Sequence, residues 1–357
     1  MKIGIVLHPY GEKGPAGLGR AIDNITRSLI THHPHNDYVV YLRSHPQELP
    51  VYDGTNWKLQ FLNRWSFWSG IGFWGERLDV CLFNTALVPL LWRPKRSIVV
   101  TYDYAYLEHN WWLKFFHCLS LHRAAHIVAI SEYTRLETLR LFSIPTKKVS
   151  TIYLGFKNLC EDLGSSIAPP LPQKYFLFVG VLKERKNVLG VVEAFYEFKK
   201  GTSLPHKLIV VGKGEGEYVT RVLSYIEKHK LRDEVLIRGR VSDEELGHYY
   251  RHAEALVFPS FVEGFGFPVL EAFGCGVPVI TSTTTSLPEV AGDAGLLVDP
   301  KNSLEIAGAM KRIVEDISLR KSLVEKGYLQ MKKFSWGKSA LIYGSLLKAL
   351  VQKNSAV

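Results

Sequence analysis

An α/β architecture of two doubly wound domains is what this chain predicts, each a parallel sheet with helices on both faces, the pair facing a cleft. Three observations carry that expectation. The chain has 357 residues, enough for about two domains at roughly 100 to 200 residues each. Short apolar runs alternate with amphipathic stretches, the rhythm of strands joined by crossover helices. Residues 160–173, CEDLGSSIAPPLPQ, break that rhythm with Gly, Ser and Pro, as an interdomain linker does, and it restarts beyond them. The expected domains are 1–165 and 166–335, with a closing helix in 336–357.

In chain order, the apolar run KIGIVL at 2–7 reads as a strand and 19–30 as a helix. YVVYL at 38–42 and SIVVT at 97–101 read as strands. HIVAI at 126–130 is another, followed by a helix opening at Ser131. After the break, strands are expected at 175–179, 207–211, 235–238, 255–258 and 277–280. Helices are expected between them, at 188–198, 215–228, 242–252 and 268–273. Residues 302–315, 317–330 and 336–351 complete the helical set. The halves share an architecture without a visible sequence repeat. Ligands of such sheets bind outside the carboxyl ends of the strands.

Composition narrows the class. Hydrophobic residues make up 46% and charged residues 22%, a balance for a folded globular chain and against disorder. Cys81, Cys118, Cys160 and Cys275 lie far apart with no C-x-x-C pair, which argues against a zinc site and for reduced thiols in a cytoplasm. The apolar stretch at the start is broken by Gly4, so it reads as a buried strand and not a signal peptide. Residues 82–92 are too short to span a bilayer. The net charge is +10, and from Lys301 onward there are 11 basic against 4 acidic residues. Such a balance favours nucleic acid, anionic lipid or phosphorylated substrates. No helix-turn-helix, zinc-finger or RNP-like pattern is present, so nucleic acid is not an expected partner.

Residues 255–300 carry the strongest signal. A strand ends at Pro259-Ser260, a loop follows with Glu263, Gly264 and Gly266, and Pro268 suits the first turn of a helix. The free N–H groups of that turn, with the helix dipole, suit a phosphate. Glu271 is expected in the same turn. Carboxylates beside a phosphate repel it, so Glu263 and Glu271 are better read as acceptors from hydroxyls. A sugar nucleotide offers two sets, on its ribose and on its sugar. Read alone, Glu271 is equally a solvated helix-start residue.

The run Glu263-Gly264-Phe265-Gly266-Phe267-Pro268-Val269-Leu270-Glu271-Ala272, followed by Gly274-Cys275-Gly276-Val277-Pro278-Val279, Leu287-Pro288-Glu289-Val290 and Gly292-Asp293-Ala294-Gly295, resembles the signature of glycosyltransferase family 4. These are retaining enzymes of the GT-B fold, built from two Rossmann-like domains. The resemblance is strong here and extends weakly over nearly the whole chain. It implies an N-terminal acceptor domain, a C-terminal nucleotide-sugar domain, and a last helix that crosses back to the first domain. It implies that Glu263 binds donor-sugar hydroxyls, with the Gly264, Phe265 and Gly266 amides around it. Glu271 would hold the ribose, and the backbone of Leu270 would help with the phosphates.

A departing nucleoside diphosphate needs cations where charge develops. FVGVLKERKNV at 178–188 resembles the family's G-x-L-x-x-R-K-N stretch and assigns that role to Arg185 and Lys186. Many relatives have Arg after the glycine, where this chain has Val181. Gly17-Leu18-Gly19-Arg20 resembles a family loop whose backbone approaches the donor phosphates or acceptor, making Gly17 and Gly19 candidates. Arg238-Gly239-Arg240-Val241 resembles the stretch that lines the base pocket, so Arg240 and Val241 are candidates there. Gly212-Lys213-Gly214-Glu215-Gly216 lacks the ending of a P-loop and reads as a structural turn. The dinucleotide spacing G-x-G-x-x-G is absent from the first glycine loop.

After the strand at 97–101, many relatives have His-Asp at the cleft. Here the pair is Tyr102-Asp103. Asp103 stays a catalytic candidate, but Tyr102 cannot carry a proton at neutral pH as His does. His109 is an alternative donor. No metal-ligand cluster is visible, and His32, His33 and His35 read as a polar turn around Pro34. The expectation is a metal-independent transferase without a cofactor, the nucleotide sugar being a substrate.

Seven of the eight tryptophans fall between Trp57 and Trp112, with Lys and Arg interleaved. Aromatics with basic residues suit a membrane interface or sugar stacking. The leading expectation is therefore a cytoplasmic hexosyltransferase with peripheral contact to an anionic membrane. It resembles mannosyltransferases of bacterial surface-polysaccharide and lipopolysaccharide assembly. GDP-mannose is the leading donor, and a glycan or lipid-linked saccharide the acceptor. A UDP-hexose-dependent transferase and a non-catalytic nucleotide-sugar binder are the alternatives.

Overall fold

The computed structural model describes residues 1–8, 10, 17–43, 45–46, 48–63, 65, 73, 75–85, 88–89, 96–107, 110–161, 163 and 174–352. The chain divides into two compact units. One is Met1–Gly155 with Phe334–Val357, and the other is Phe156–Lys333. The second unit thus begins before the Pro-rich stretch, at Phe156 where the sequence places the boundary at 165/166. Residues 162 and 164–173 lie outside the described set.

The first unit holds β1 (Lys2–Val6), α1 (Gly17–His32), β2 (Asp37–Leu42), β3 (Trp57–Phe61), β4 (Val80–Phe83), β5 (Ser97–Thr101), α2 (Trp111–Arg123), β6 (His126–Ala129), α3 (Glu132–Phe142) and β7 (Val149–Thr151). Its sheet has the order β3-β2-β1-β4-β5-β6-β7, parallel throughout. β4 and β5 are buried along their whole length and β1 and β2 nearly so, while edge strand β3 is half open. Continuous apolar strands are what helices on both faces require.

The second unit repeats the scheme with β8 (Tyr175–Val179), α4 (Val188–Lys200), β9 (Lys207–Val211), α5 (Glu217–Lys228), β10 (Val235–Gly239), α6 (Asp243–Arg251), β11 (Ala255–Phe258), α7 (Phe267–Gly274), β12 (Val279–Ser282), α8 (Leu287–Ala291), β13 (Gly295–Val298), α9 (Ser303–Glu315) and α10 (Ile317–Met331). The order is β10-β9-β8-β11-β12-β13, again all parallel. The expected fold class, two doubly wound Rossmann-like domains, is the one observed. In each sheet the winding reverses at the first strand, between β1 and β4 and between β8 and β11. Such reversal points are where these sheets open a crevice.

The final helix, α11 (Trp336–Gln352), belongs to the first unit. Ala340, Tyr343 and Leu347 bury its inner face. His33 Nε2 donates to the Ala340 carbonyl at 3.0 Å. His32 closes α1 and His33 follows it, so two of the three clustered histidines end a helix and meet α11 where a polar turn was expected. Side-chain caps explain several helix starts: Ser131, Ser242, Asn302 and Asp316 each accept an amide of the first turn.

The structure adds elements that periodicity does not reveal. α2, WWLKFFHCLSLHR, is aromatic on several sides and has no clean apolar stripe. β4, β7 and β13 have only three or four residues. The strand expected at 277–280 is shifted to Val279–Ser282. Gly276 takes φ +69°, and Pro278 has no N–H to donate to a ladder.

The cysteines are the clearest correction. Cys160 and Cys275 form a disulfide, Cα–Cα 5.2 Å, where four reduced thiols were expected. Their sequence separation of 115 conceals that the segment after Phe156 packs on the end of α7. A Cβ on Gly274 would come within 2.9 Å of Asn158 Oδ1.

Candidate functional site

In the second unit, the segments leaving β8 and β11 are stitched together at the reversal point. Asn187 is left-handed at φ 57° and buried. Its Nδ2 donates to the carbonyls of Pro259 at 3.1 Å and Pro300 at 2.6 Å. The Phe261 amide donates to the Arg185 carbonyl at 2.9 Å. These bonds place Arg185 and Lys186 beside the loop that carries Glu263.

Glu263 is 7% exposed. Lys186 Nζ donates to its Oε1 and lies 5.2 Å from the centre of the Phe258 ring. Arg185 Nη1 stands 3.8 Å from Glu263 Oε2 and donates to the Val262 carbonyl at 3.3 Å. Two cations therefore converge on one buried carboxylate at the mouth of the sheet. The loop is held from behind. Ser286 Oγ donates to the carbonyls of Glu263 and Phe265, both at 2.9 Å, and the Glu263 amide donates to Thr285 Oγ1 at 3.2 Å.

Gly264, Phe265 and Gly266 are buried and lead into α7. Gly266 precedes the helix at φ +112°, with Pro268 in the first turn. A Cβ there would meet Leu287 Cδ2 at 2.7 Å, so glycine is required on both counts. Leu270 is fully buried. Glu271 lies in the second turn, not the first: α7 starts at Phe267, and no acidic residue falls in its opening turn. It receives a hydrogen bond of 2.8 Å from the Tyr250 hydroxyl. Burial, and then the negative charge of Glu271, push the Tyr250 phenol well above its ordinary pKa. Sequence reasoning missed Tyr250, because a Tyr-Tyr pair late in an amphipathic helix reads as core.

The glycine turns that follow β8, β9 and β10 also converge, at the same carboxyl end of the sheet. The Gly212 amide donates to the Gly239 carbonyl at 2.7 Å, and a Cβ on Gly212 would fall 1.8 Å from the Gly180 carbonyl. Arg240 is exposed and Val241 half-buried just past β10.

The remaining candidates belong to the first unit. Gly17 and Gly19, expected in a loop, lie in the first turn of α1. Asp103 follows β5 and accepts the Ala105 amide at 3.3 Å. It lines a cavity of about 310 Å³ with His8, Asn84, Thr85, Tyr102, Tyr106, Leu113 and His117. These residues follow β1, β4 and β5 or come from α2, so the cavity sits at that unit's reversal point. The Tyr102 hydroxyl donates to Asn84 Oδ1, and its phenol is pushed well up by burial and then by Tyr343. His117 Nδ1 donates to the Leu113 carbonyl at 2.8 Å, which leaves Nε2 to accept from the Tyr106 hydroxyl at 2.7 Å. Burial lowers the His117 pKa, keeping this neutral tautomer. His109, Trp68, Trp74 and Trp92 lie outside the described residues. Trp65, Trp111 and Trp112 are 75%, 66% and 58% exposed. Trp57 is half-buried and donates to the Tyr52 carbonyl.

Residues 163–330 match the family model of glycosyl transferases group 1. The chain is similar to O-antigen chain mannosyltransferase B of Escherichia coli, with 36% identity over 227 residues, 61% of this chain and 58% of that relative. It is similar to O-antigen chain mannosyltransferase RfbU of Salmonella typhimurium, with 30% identity over 195 residues, 55% of this chain and 52% of that one. The matched region thus spans little more than half the length of these curated relatives. In three dimensions the chain resembles sucrose-phosphate synthase from Thermosynechococcus elongatus, with a TM-score of 0.78 and 19% identity, covering 99% of this chain and 100% of the other. At that identity the likeness is one of fold. The reversal-point loops of the second unit fall inside the segment matched by the family model, which is just under half of the chain.

Proposed function

We propose that this protein is a retaining hexosyltransferase that moves mannose from GDP-mannose onto a glycan or lipid-linked saccharide. One observation carries the reading: Arg185 and Lys186 converge on the buried Glu263 beside the amino end of α7. In this reading the diphosphate draws Arg185 and Lys186 partly away from Glu263. Glu263 is then available to hydroxyls of the donor sugar. The Gly264–Gly266 backbone lets the phosphates approach closely, and Glu271 accepts from the ribose. Guanidinium and ammonium stabilise the leaving group where its charge grows, and the reaction calls for no cofactor. The diphosphate itself serves as the base for the acceptor hydroxyl. Asp103, in the cavity of the first unit, orients the acceptor. The 36% identity with a protein named a mannosyltransferase supports mannose.

Exposed Trp65, Trp111 and Trp112, with the net charge of +10, support peripheral contact with an anionic membrane at its cytoplasmic face. Among the described residues no helix is long and apolar enough to cross a membrane. Sedimentation with anionic liposomes at low salt tests the contact, and protein that stays in solution refutes it.

The first experiment is thermal unfolding with GDP, UDP, ADP and their sugars, and with Glu271→Ala as control. A ligand stabilises in proportion to the logarithm of its concentration over Kd. GDP and GDP-mannose are expected to raise the midpoint, and the variant to lose the effect. Stabilisation by UDP instead would keep the transferase and replace the donor. No response to any nucleotide would overturn the proposal.

A further inference from the structure

We infer that Tyr250 is a positioning residue that sets the carboxylate of Glu271 for a ribose diol. The inference rests on the proposed role of Glu271 and adds a residue from another helix. Tyr250 ends a buried row on α6 and is itself completely buried. Its hydroxyl donates to Glu271 Oε2 at 2.8 Å. A glutamate on the second turn of a helix has three side-chain torsions, the last of them broad. A cis-diol is recognised well only when the carboxylate plane is already set. A neutral phenol sealed in the core sets it and never competes for the ligand.

The frame around this bond is stiff. Arg251, the next residue on α6, donates from Nη2 to the Cys160 carbonyl at 2.6 Å. Cys160 is bonded to Cys275 at the end of α7. Gly247 on α6 packs so closely on the same segment that a Cβ would fall 2.5 Å from the Leu159 carbonyl. The helices bearing Tyr250 and Glu271 are therefore tied together beside the bond that joins the two side chains.

The test compares GDP with 2′-deoxy-GDP by calorimetry, or UDP with its 2′-deoxy analogue if the wild type selects UDP. Four proteins are measured: wild type, Tyr250→Phe, Glu271→Gln and the double variant. Phe keeps the ring and removes the donor. The wild type is expected to prefer the ribonucleotide, and Tyr250→Phe to lose roughly tenfold in affinity for it, with little change for the deoxy analogue. In steady state the donor KM rises while kcat holds. The double variant is expected to be no worse than Glu271→Gln, since the two residues act as one unit. Equal losses for both nucleotides in Tyr250→Phe, or additive losses in the double variant, would reduce Tyr250 to a packing residue and overturn the inference alone. If Glu271→Gln keeps the wild-type preference, the ribose role of Glu271 falls, and the positioning role falls with it.

Discussion

Lys186 and Glu263 show how one pair serves both the fold and the proposed site. Both side chains are largely out of water, 13% and 9% exposed. Removing Lys186 leaves the buried Glu263 carboxylate with the more distant Arg185, 3.8 Å away, a loss of about 2 kcal/mol. Lys186→Ala should therefore lower stability in urea unfolding as well as nucleotide affinity. Arg185 is 41% exposed and stands 3.8 Å from the same carboxylate. Arg185→Ala should cost less than about 1 kcal/mol of stability yet weaken nucleoside diphosphate binding roughly tenfold. Equal stability losses in the two variants would contradict this division. His206 offers a pH prediction. It is fully buried against Phe176 and Phe198, and both ring nitrogens lack a hydrogen-bond partner among the described residues. Burial lowers its folded pKa below the ordinary 6.5. The unfolded chain then takes up the proton first, so this contribution is complete above about pH 6.5 and is lost as pH falls toward the folded pKa. His206→Phe should flatten that acid-side decline in unfolding midpoints measured from pH 8 to 5. These residues differ in legibility. Glu263, Gly266 and Glu271 lie within one contiguous run and stand out on a first reading. Lys186 and Glu263 are 77 positions apart, and their contact has no local signature. Tyr250 looks like any core tyrosine until Glu271 is found next to it.

Among the elements, α7 is the one whose first turn matters most. Gly266 sets its entry with a positive φ, and Leu287 of α8 fills the space where a side chain would go. Gly266→Ala should cost about 1–2 kcal/mol from the backbone alone, with the clash added. Because the strain falls at the amino end of α7, nucleotide affinity should drop more than stability does. Parallel calorimetry and urea titration check this. Most elements could be read from the chain because their cause is local: an apolar run, a capping side chain, a proline. β8, β9 and β11 match their predicted ranges. α2 escapes because Trp111, Trp112 and Phe115 are exposed while His117 and Ser120 are buried, which inverts the usual apolar pattern, and β7 because three residues carry too little pattern. Glu271 moved from the first turn to the second because α7 begins at Phe267, one residue before the proline taken as its start.

Across the whole molecule, the path of the chain makes the two units unequal. The second is continuous from Phe156 to Lys333, whereas the first needs residues from both ends. Residues 156–333 expressed alone should give cooperative unfolding by circular dichroism. A chain ending at Lys333 exposes the α1 face that Ala340, Tyr343 and Leu347 cover. At about 1.5–3 kcal/mol for each large apolar side chain, it should lose several kcal/mol in the first unit or aggregate. Wild-type stability in that truncation would show α11 to be dispensable. The sequence by itself determined the α/β class, the two-part organisation and the loop-to-helix run from Glu263 to Glu271. Those follow from the period of side chains and from which residues tolerate a given backbone angle, and both are local properties. The tertiary structure alone decided that Lys186 meets Glu263, that Tyr250 backs Glu271, and that Cys160 joins Cys275. Those partners are remote in the chain. Lys186 meets Glu263 because the sheet reverses its winding at β8, which sets β11 alongside it and brings the segments that follow both strands to one end.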